Sequence, residues 1–155
     1  MNKGKLEEIW MTVSIGVLVI FMVIVGYQTF ALGMGPPSNK EVIDPQKVDE
    51  TAPFDNPGLS NSGNNKYELV MTLEAFAFTP GNIEVPVGAE VEFTMTSKDV
   101  SHGVQIPGTN LNAMVLPGHI QKITQTFNEP GEYLVLCNEY CGAGHQAMFT
   151  TIIVK

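Results

Sequence analysis

Two hydrophobic rhythms divide the chain. Residues 9–39 carry no charge, and within 15–25 (IGVLVIFMVIV) only Gly16 is not strongly apolar. The apolar stretch 9–32 exceeds the roughly 20 residues a helix needs to cross a hydrocarbon core of about 30 Å. From residue 66 the rhythm becomes period two, the mark of half-buried strands. Tyr67, Leu69, Met71, Leu73 and Ala75 alternate with Glu68, Thr72 and Glu74, and Val91, Phe93 and Met95 alternate with Glu90, Glu92, Thr94 and Thr96. Further strand-like runs lie at 83–85, 120–127, 133–137 and 147–154. Turn signals separate them: Thr79-Pro80-Gly81-Asn82, Pro86-Val87-Gly88, Ile106-Pro107-Gly108, Leu116-Pro117-Gly118 and Glu129-Pro130-Gly131. No amphipathic helical stretch interrupts this region.

The pattern predicts four segments: residues 1–8 as a cytoplasmic N-terminus, 9–32 as a transmembrane anchor, 33–65 as a linker or irregular covering segment, and 66–155 as one all-β domain. Short strands with regular turns point to a Greek-key sandwich or barrel. The stretch 33–65 is rich in Pro, Gly, Asn and Ser and lacks apolar periodicity.

A cleaved signal peptide competes with the anchor, since MNKGK is basic. Its apolar core would run about 7–15 residues before a small-residue cleavage site. Here the run is longer and exits through FALGMGPP, with Trp10 and Tyr27 near its two ends, as interfacial aromatics sit. Lys3 and Lys5 bias the N-terminus inward and the domain outward, toward the outer or periplasmic face of the cell membrane.

Charge narrows the partners. Lys3, Lys5, Glu7 and Glu8 cancel ahead of the anchor, so the whole net charge of −8 belongs to the part after it. Nucleic acid is excluded as a partner, because phosphate binding needs a basic surface. A basic soluble partner would be steered in, onto carboxylates such as Asp99, Glu129 or Glu132.

Both cysteines fall in one segment, Cys137-Asn138-Glu139-Tyr140-Cys141-Gly142-Ala143-Gly144-His145-Gln146-Ala147-Met148, between two strand-like runs. His145 lies within it and His102 well upstream. Three readings compete. A disulfide is the default in an oxidising compartment, but closing so small a loop adds little, and it leaves the His and Met unused. Structural zinc accepts two thiolates and two imidazoles, yet gains nothing from a thioether. Copper accounts for most: one thiolate, two imidazoles and a weak axial thioether make a blue-copper site. Cys137 is then an extra ligand, and two thiolates can bridge two copper ions, each capped by one histidine. Met148 would serve one copper weakly, and a backbone carbonyl of the Cys-x3-Cys loop, that of Glu139, the other. Such a pair suits one-electron transfer, since the ligand set leaves no obvious open position for a substrate.

These residues resemble a known family. His102 with CNEYCGAGHQAM, the preceding PGEYLVLC and the N-terminal anchor are similar to subunit II of the haem-copper cytochrome c oxidases, which carries the CuA centre. The single anchor, AFAFTPGNIEVPVGAEV and HGVQIPGTNLNAMVLPG look like the B-type branch. The resemblance implies a cupredoxin fold outside the membrane and an electron-accepting role. Electrons would come from cytochrome c or a similar carrier and pass to haem in subunit I, which reduces oxygen to water. It implies His102 and His145 as terminal ligands, Cys137 and Cys141 as bridging thiolates, Met148 as axial thioether and Glu139 as carbonyl donor. The copper cysteines argue against quinol as donor, and the chain has no room for the catalytic domain of nitrous oxide reductase, which shares the motif.

Three positions depart from or extend the pattern. A-type members take up electrons through a tryptophan cluster, whereas the only Trp here is Trp10 in the anchor. Phe76 and Phe78 match the aromatic pair of the B-type, which makes them candidates for electron uptake, Phe78 above all, or plain core residues. A glutamate at the Glu139 position in A-type members also reaches a magnesium ion at a subunit interface, where the B-type has glutamine. His119 has no thiolate near it in sequence and is expected as an exposed strand histidine. An anchored copper-delivery protein and a zinc-stapled binding module are the readings from other classes.

Overall fold

A computed structural model of the protein describes residues 3–31 and 41–155. The first two residues of the expected cytoplasmic segment, the expected end of the anchor at Leu32 and the first part of the expected linker, 33–40, lie outside the described residues. Two compact units, Met1–Pro36 and Pro37–Lys155, make up the chain.

The first unit is a single helix, α1 (Lys3–Ala31), which begins ahead of the expected anchor and includes its charged flank. Its apolar side chains, from Ile9 to Tyr27, are exposed all round. A helix without a polar face, apolar on every side, suits lipid. It is the one helix among the described residues long and apolar enough to cross a membrane.

The second unit is the expected β-sandwich. Its strands are β1 (Gly58–Gly63), β2 (Lys66–Glu74), β3 (Ala77–Thr79), β4 (Ile83–Val85), β5 (Ala89–Ser97), β6 (His102–Gln105), β7 (Asn112–Val115), β8 (Gln121–Phe127), β9 (Gly131–Leu136) and β10 (Phe149–Val154). One five-stranded sheet runs β1-β2-β5-β8 with β3 also on β2; the other runs β4-β10-β9-β6-β7. Pairs β2–β5 and β4–β10 are parallel and the rest antiparallel, so strands adjacent in sequence often lie in different sheets. Leu69, Met71, Leu73, Val91, Phe93 and Met95 of one sheet meet Val104, Val135, Ile152 and Val154 of the other in the core.

The alternation predicts one buried face for β2 and β5. In the structure Val70, Thr72, Thr94 and Thr96, on the other face, are buried too. Val70 is covered by residues 41–57, part of the stretch expected as a linker or irregular covering segment. Ile43, Val48 and Phe54 form a second small core with Val70 and Ile120 on the outside of the first sheet. Backbone bonds join Ile43 N–H to the Gly118 carbonyl and Ile120 N–H to the Glu41 carbonyl. Lys98–Asp49 and Lys122–Glu41 ion pairs flank the contact. Burying each of the three apolar side chains contributes about 1.5–3 kcal/mol. The same stretch then supplies β1, which turns through Asn64 and Asn65, both at positive φ, into β2. That Asn-Asn hairpin orders an otherwise polar strand.

Candidate metal centre

The cysteine segment is the connection from β9 to β10, at one end of the second sheet. Its neck is closed by the Cys137 N–H, which donates to the Met148 carbonyl at 3.1 Å. The return leg tightens through a single 3-10 turn, His145–Ala147, with backbone bonds from His145 to Gly142 and from Ala147 to Gly144. Met148 is thereby delivered back to the sandwich and is buried. His102 is the first residue of β6, and its strand meets β9 through the pair Gln105 and Leu136. Two strands of one sheet and the loop between β9 and β10 thus bring together residues far apart in sequence.

All six donors named from the sequence lie together. Cys137 Sγ is 3.8 Å from His102 Nδ1, 3.7 Å from Cys141 Sγ and 3.2 Å from the Glu139 carbonyl oxygen. Cys141 Sγ is 3.6 Å from His145 Nδ1 and 3.7 Å from Met148 Sδ. His102, Cys137 and Cys141 alone form a buried group whose ligand atoms all lie within 4.8 Å of one another. A disulfide needs sulfurs about 2.05 Å apart, so the sequence alternative of a bridge is not what this geometry holds, and both thiols are free.

The protonation chemistry also fits a metal. His102 is fully buried, and its Nε2 lies 2.9 Å from Asp99 Oδ1. Asp99 also accepts the Ala75 N–H on Oδ2 and the Val100 N–H on Oδ1. Burial pushes the Asp99 carboxyl up, but the His102 hydrogen bond and the two backbone donors outweigh it and hold the group below the usual carboxylate value. An ionised Asp99 takes the proton on Nε2, which leaves the Nδ1 lone pair facing the sulfurs. Burial, and next the hydrogen bond and charge of Cys137, push the Cys141 thiol up to about 11. A soft metal ion offsets that cost for Cys141 by taking the place of its proton.

Three features of the site are not foreseen from the sequence. Asp99, a candidate docking carboxylate by its charge, turns its side chain inward to His102. Of the two candidates for electron uptake, Phe78 lies 6 % exposed in the sandwich core, the other role open to it from the sequence, while Phe76 is 40 % exposed. The Phe76 ring covers the ligand loop so closely that a Cβ on Gly144 would come within 2.5 Å of it, and one on Gly142 within 3.0 Å. The glycines of Cys-Gly-Ala-Gly-His are the available signal for that contact. Tyr140, 76 % exposed, stands beside the His145 ring, centroids 5.9 Å apart. His119 is exposed as expected, its backbone bridging Val42. Among the described residues no second acid or imidazole joins Glu139 in a metal-competent group.

A two-sheet β-sandwich with imidazole, thiol and thioether groups gathered at one end, preceded in the chain by an apolar helix that could span a membrane, defines a cupredoxin-like protein whose His102, Cys137 and Cys141 could hold a metal ion. Comparison with known proteins gives the family. The profile of the cytochrome c oxidase subunit II periplasmic domain matches residues 70–155. A cytochrome c oxidase subunit 2 of Thermus thermophilus is 41% identical over 153 residues, 96% of this chain and 91% of that protein. A second Thermus thermophilus cytochrome c oxidase subunit 2 is 44% identical over 129 residues, 82% of this chain and 96% of that one. Among solved structures, a chain of a heme-copper terminal oxidase dimer superposes with a TM-score of 0.79 at 33% identity, covering 96% of this chain and 99% of its own. The periplasmic domain of subunit II of cytochrome oxidase (CoxB) of Bradyrhizobium japonicum shares the fold, with a TM-score of 0.53 at 18% identity over 57% of this chain and 83% of that one. The chain belongs to the cytochrome c oxidase subunit II family.

Proposed function

We propose that this chain is the electron-accepting subunit of a haem-copper terminal oxidase. It would take single electrons from cytochrome c or a similar carrier and pass them to haem in subunit I, where oxygen is reduced to water. The chain would hold two copper ions through His102, Cys137, Cys141, His145, Met148 and the Glu139 carbonyl. Held by these residues, a copper pair would supply a one-electron store whose charge is shared between two metals.

The observation that carries this reading is the pairing of donors. Each sulfur has its own imidazole, His102 Nδ1 at 3.8 Å from Cys137 and His145 Nδ1 at 3.6 Å from Cys141, and the sulfurs stand 3.7 Å apart. A third donor attends each one, the Glu139 carbonyl at Cys137 and Met148 at Cys141. A single zinc ion would use four of these six groups and leave two idle.

The residues around the donors have separable tasks. Asp99 orients the buried His102. Met148 and the closed loop neck exclude water from the sulfurs. His145, beside the exposed Tyr140, and Phe76, over the loop glycines, form the side open to a donor, so Phe76 rather than Phe78 is the aromatic through which electrons would arrive. The acidic domain suits a basic carrier. We assign residues 1–8 to the cytoplasmic side, α1 to the membrane, and the sandwich to the outer or periplasmic face, where the family's matched domain is periplasmic.

Expressing the full chain with copper in detergent tests the proposal. Two copper ions per chain and an electron spin resonance spectrum shared between two nuclei are expected. One copper per chain, or a colourless zinc protein, would overturn it, and elemental analysis separates these at once.

A further inference from the structure

One side chain of the ligand loop has a place prepared for it by the facing strand. Gly103 follows His102 in β6. A Cβ at Gly103 would lie 1.9 Å from Asn138 Oδ1, 3.0 Å from Asn138 Cγ and 2.9 Å from the Glu139 backbone nitrogen. The space an ordinary residue would fill is therefore occupied by the Asn138 amide and the peptide that follows it. Gly103 is not among the glycines at positive φ, so the requirement is steric rather than conformational. Beyond that gap, Asn138 Nδ2 donates to Asn112 Oδ1 at 3.0 Å, on β7. Asn138 thus reaches across β6, over the position that has no side chain, and is tied to the next strand.

We infer that Asn138 is a positioning residue for the metal centre: seated over Gly103 and tied to Asn112, it sets the direction of the Glu139 carbonyl toward the Cys137 sulfur. Asn138 stands between two fixed points. On one side the Cys137 N–H is bonded to the Met148 carbonyl, and on the other the Glu139 carbonyl lies 3.2 Å from Cys137 Sγ. The torsions of Cys137, Asn138 and Glu139 connect them, so what holds the Asn138 side chain narrows the directions open to the carbonyl. The consequence for the metal rests on the copper reading above, because a weak axial donor and the groups that orient it tune the spectrum and potential of a copper–thiolate site. The ordering of the loop itself does not depend on that reading.

The test uses the full chain in detergent, with Asn138→Ala, Gly103→Ala, and Asn138→Asp as the conservative variant whose carboxylate can accept from a rotated Asn112 amide. Without metal, hydrogen exchange of the Cys137 amide, which closes the loop neck on the Met148 carbonyl, is expected to accelerate about three- to tenfold in Asn138→Ala, the factor expected for loss of one hydrogen bond, with β5 unchanged. Gly103→Ala should accelerate it at least as much, and Asn138→Asp should restore most of the protection. Loaded with copper, Asn138→Ala should keep two ions per chain but show shifted visible bands, altered copper hyperfine splitting and a changed midpoint potential. Exchange within about twofold of the parent chain in both alanine variants overturns the inference. So does an unchanged spectrum and potential in a copper-loaded Asn138→Ala chain. If the parent chain takes up no copper pair while loop exchange still accelerates in the variants, the copper reading fails and the ordering by Asn138 stands.

Discussion

His102 Nε2 and Asp99 Oδ1 are 2.9 Å apart, and this contact turns the opposite ring nitrogen of a fully buried histidine toward the Cys137 sulfur. Carboxylates that accept from the outer nitrogen of a ligating imidazole fix its tautomer and strengthen its donation. Asp99→Asn keeps the size but offers an N–H where Ala75 or Val100 also presents one. Copper affinity should fall about 10–100-fold, read by competition with a chelator, while the circular dichroism of the sandwich is retained. Unchanged affinity would show that packing alone orients the ring.

Cys137 separates a two-metal centre from a one-metal site. Cys141, His145, Met148 and His102 would still suffice for a mononuclear copper when Cys137 is replaced. Cys137→Ser should therefore bind one copper and lose the spectrum shared between two nuclei. Two coupled copper ions in that variant would refute the bridging assignment.

The Cys141 thiol gives a pH dependence with a definite sign. Burial, and then Cys137, push it up to about 11 from an ordinary value of 9.0 in the metal-free protein. A thiol raised on folding contributes stability that is complete below the unfolded value and is lost as pH rises through the folded one. The metal-free domain should thus lose stability between about pH 9 and about pH 11, the window those two values define. Metal uptake runs the other way, since it displaces the proton, and should tighten by up to about tenfold per pH unit for each proton released. Thiolate absorbance near the ordinary cysteine value, rather than about 11, would contradict the assigned environment.

Phe76 joins the surface to the loop. Its ring packs on Gly142 and Gly144 yet stays 40 % exposed. Phe76→Ala should slow electron uptake from a donor protein on the order of tenfold, as loss of an aromatic contact at a docking surface does, with copper content unchanged. Raising salt should slow uptake from a basic donor in both proteins, because the steering belongs to the acidic domain as a whole. Stopped-flow traces across a salt series separate the two effects.

Phe54 anchors residues 41–57 and is fully buried. Phe54→Ala should cost about 3–5 kcal/mol, read as a lowered denaturant midpoint of the β-domain. A loss below about 1 kcal/mol, the range of a surface substitution, would mean that the covering segment is dispensable to the sandwich.

The strongest rhythms placed the apolar helix α1 and strands β2, β4, β5, β8, β9 and β10, because each repeats an apolar position often enough to announce its period. Strands β1, β3, β6 and β7 were not legible. Gly-Leu-Ser-Asn-Ser-Gly has no apolar alternation and becomes a strand through the Asn64-Asn65 hairpin, while β6 carries a glycine where the alternation needs a side chain. The burial of Val70 on the outer face of its sheet was hidden for a related reason, since it depends on Phe54 and Val48 arriving from a stretch that looks like linker.

For the candidate centre, the sequence by itself named the candidate donors: two thiols, an imidazole and a thioether at fixed spacing in one loop, with His102 upstream, limit the chemistry whatever the surrounding fold. Tertiary structure decided what surrounds them. Asp99 turns to His102, the Phe76 ring lies on Gly142 and Gly144, and Asn138 lies over Gly103. Each of these contacts joins the ligands to another part of the sandwich, and such neighbours are chosen by how strands pair and sheets pack, which no local spacing encodes.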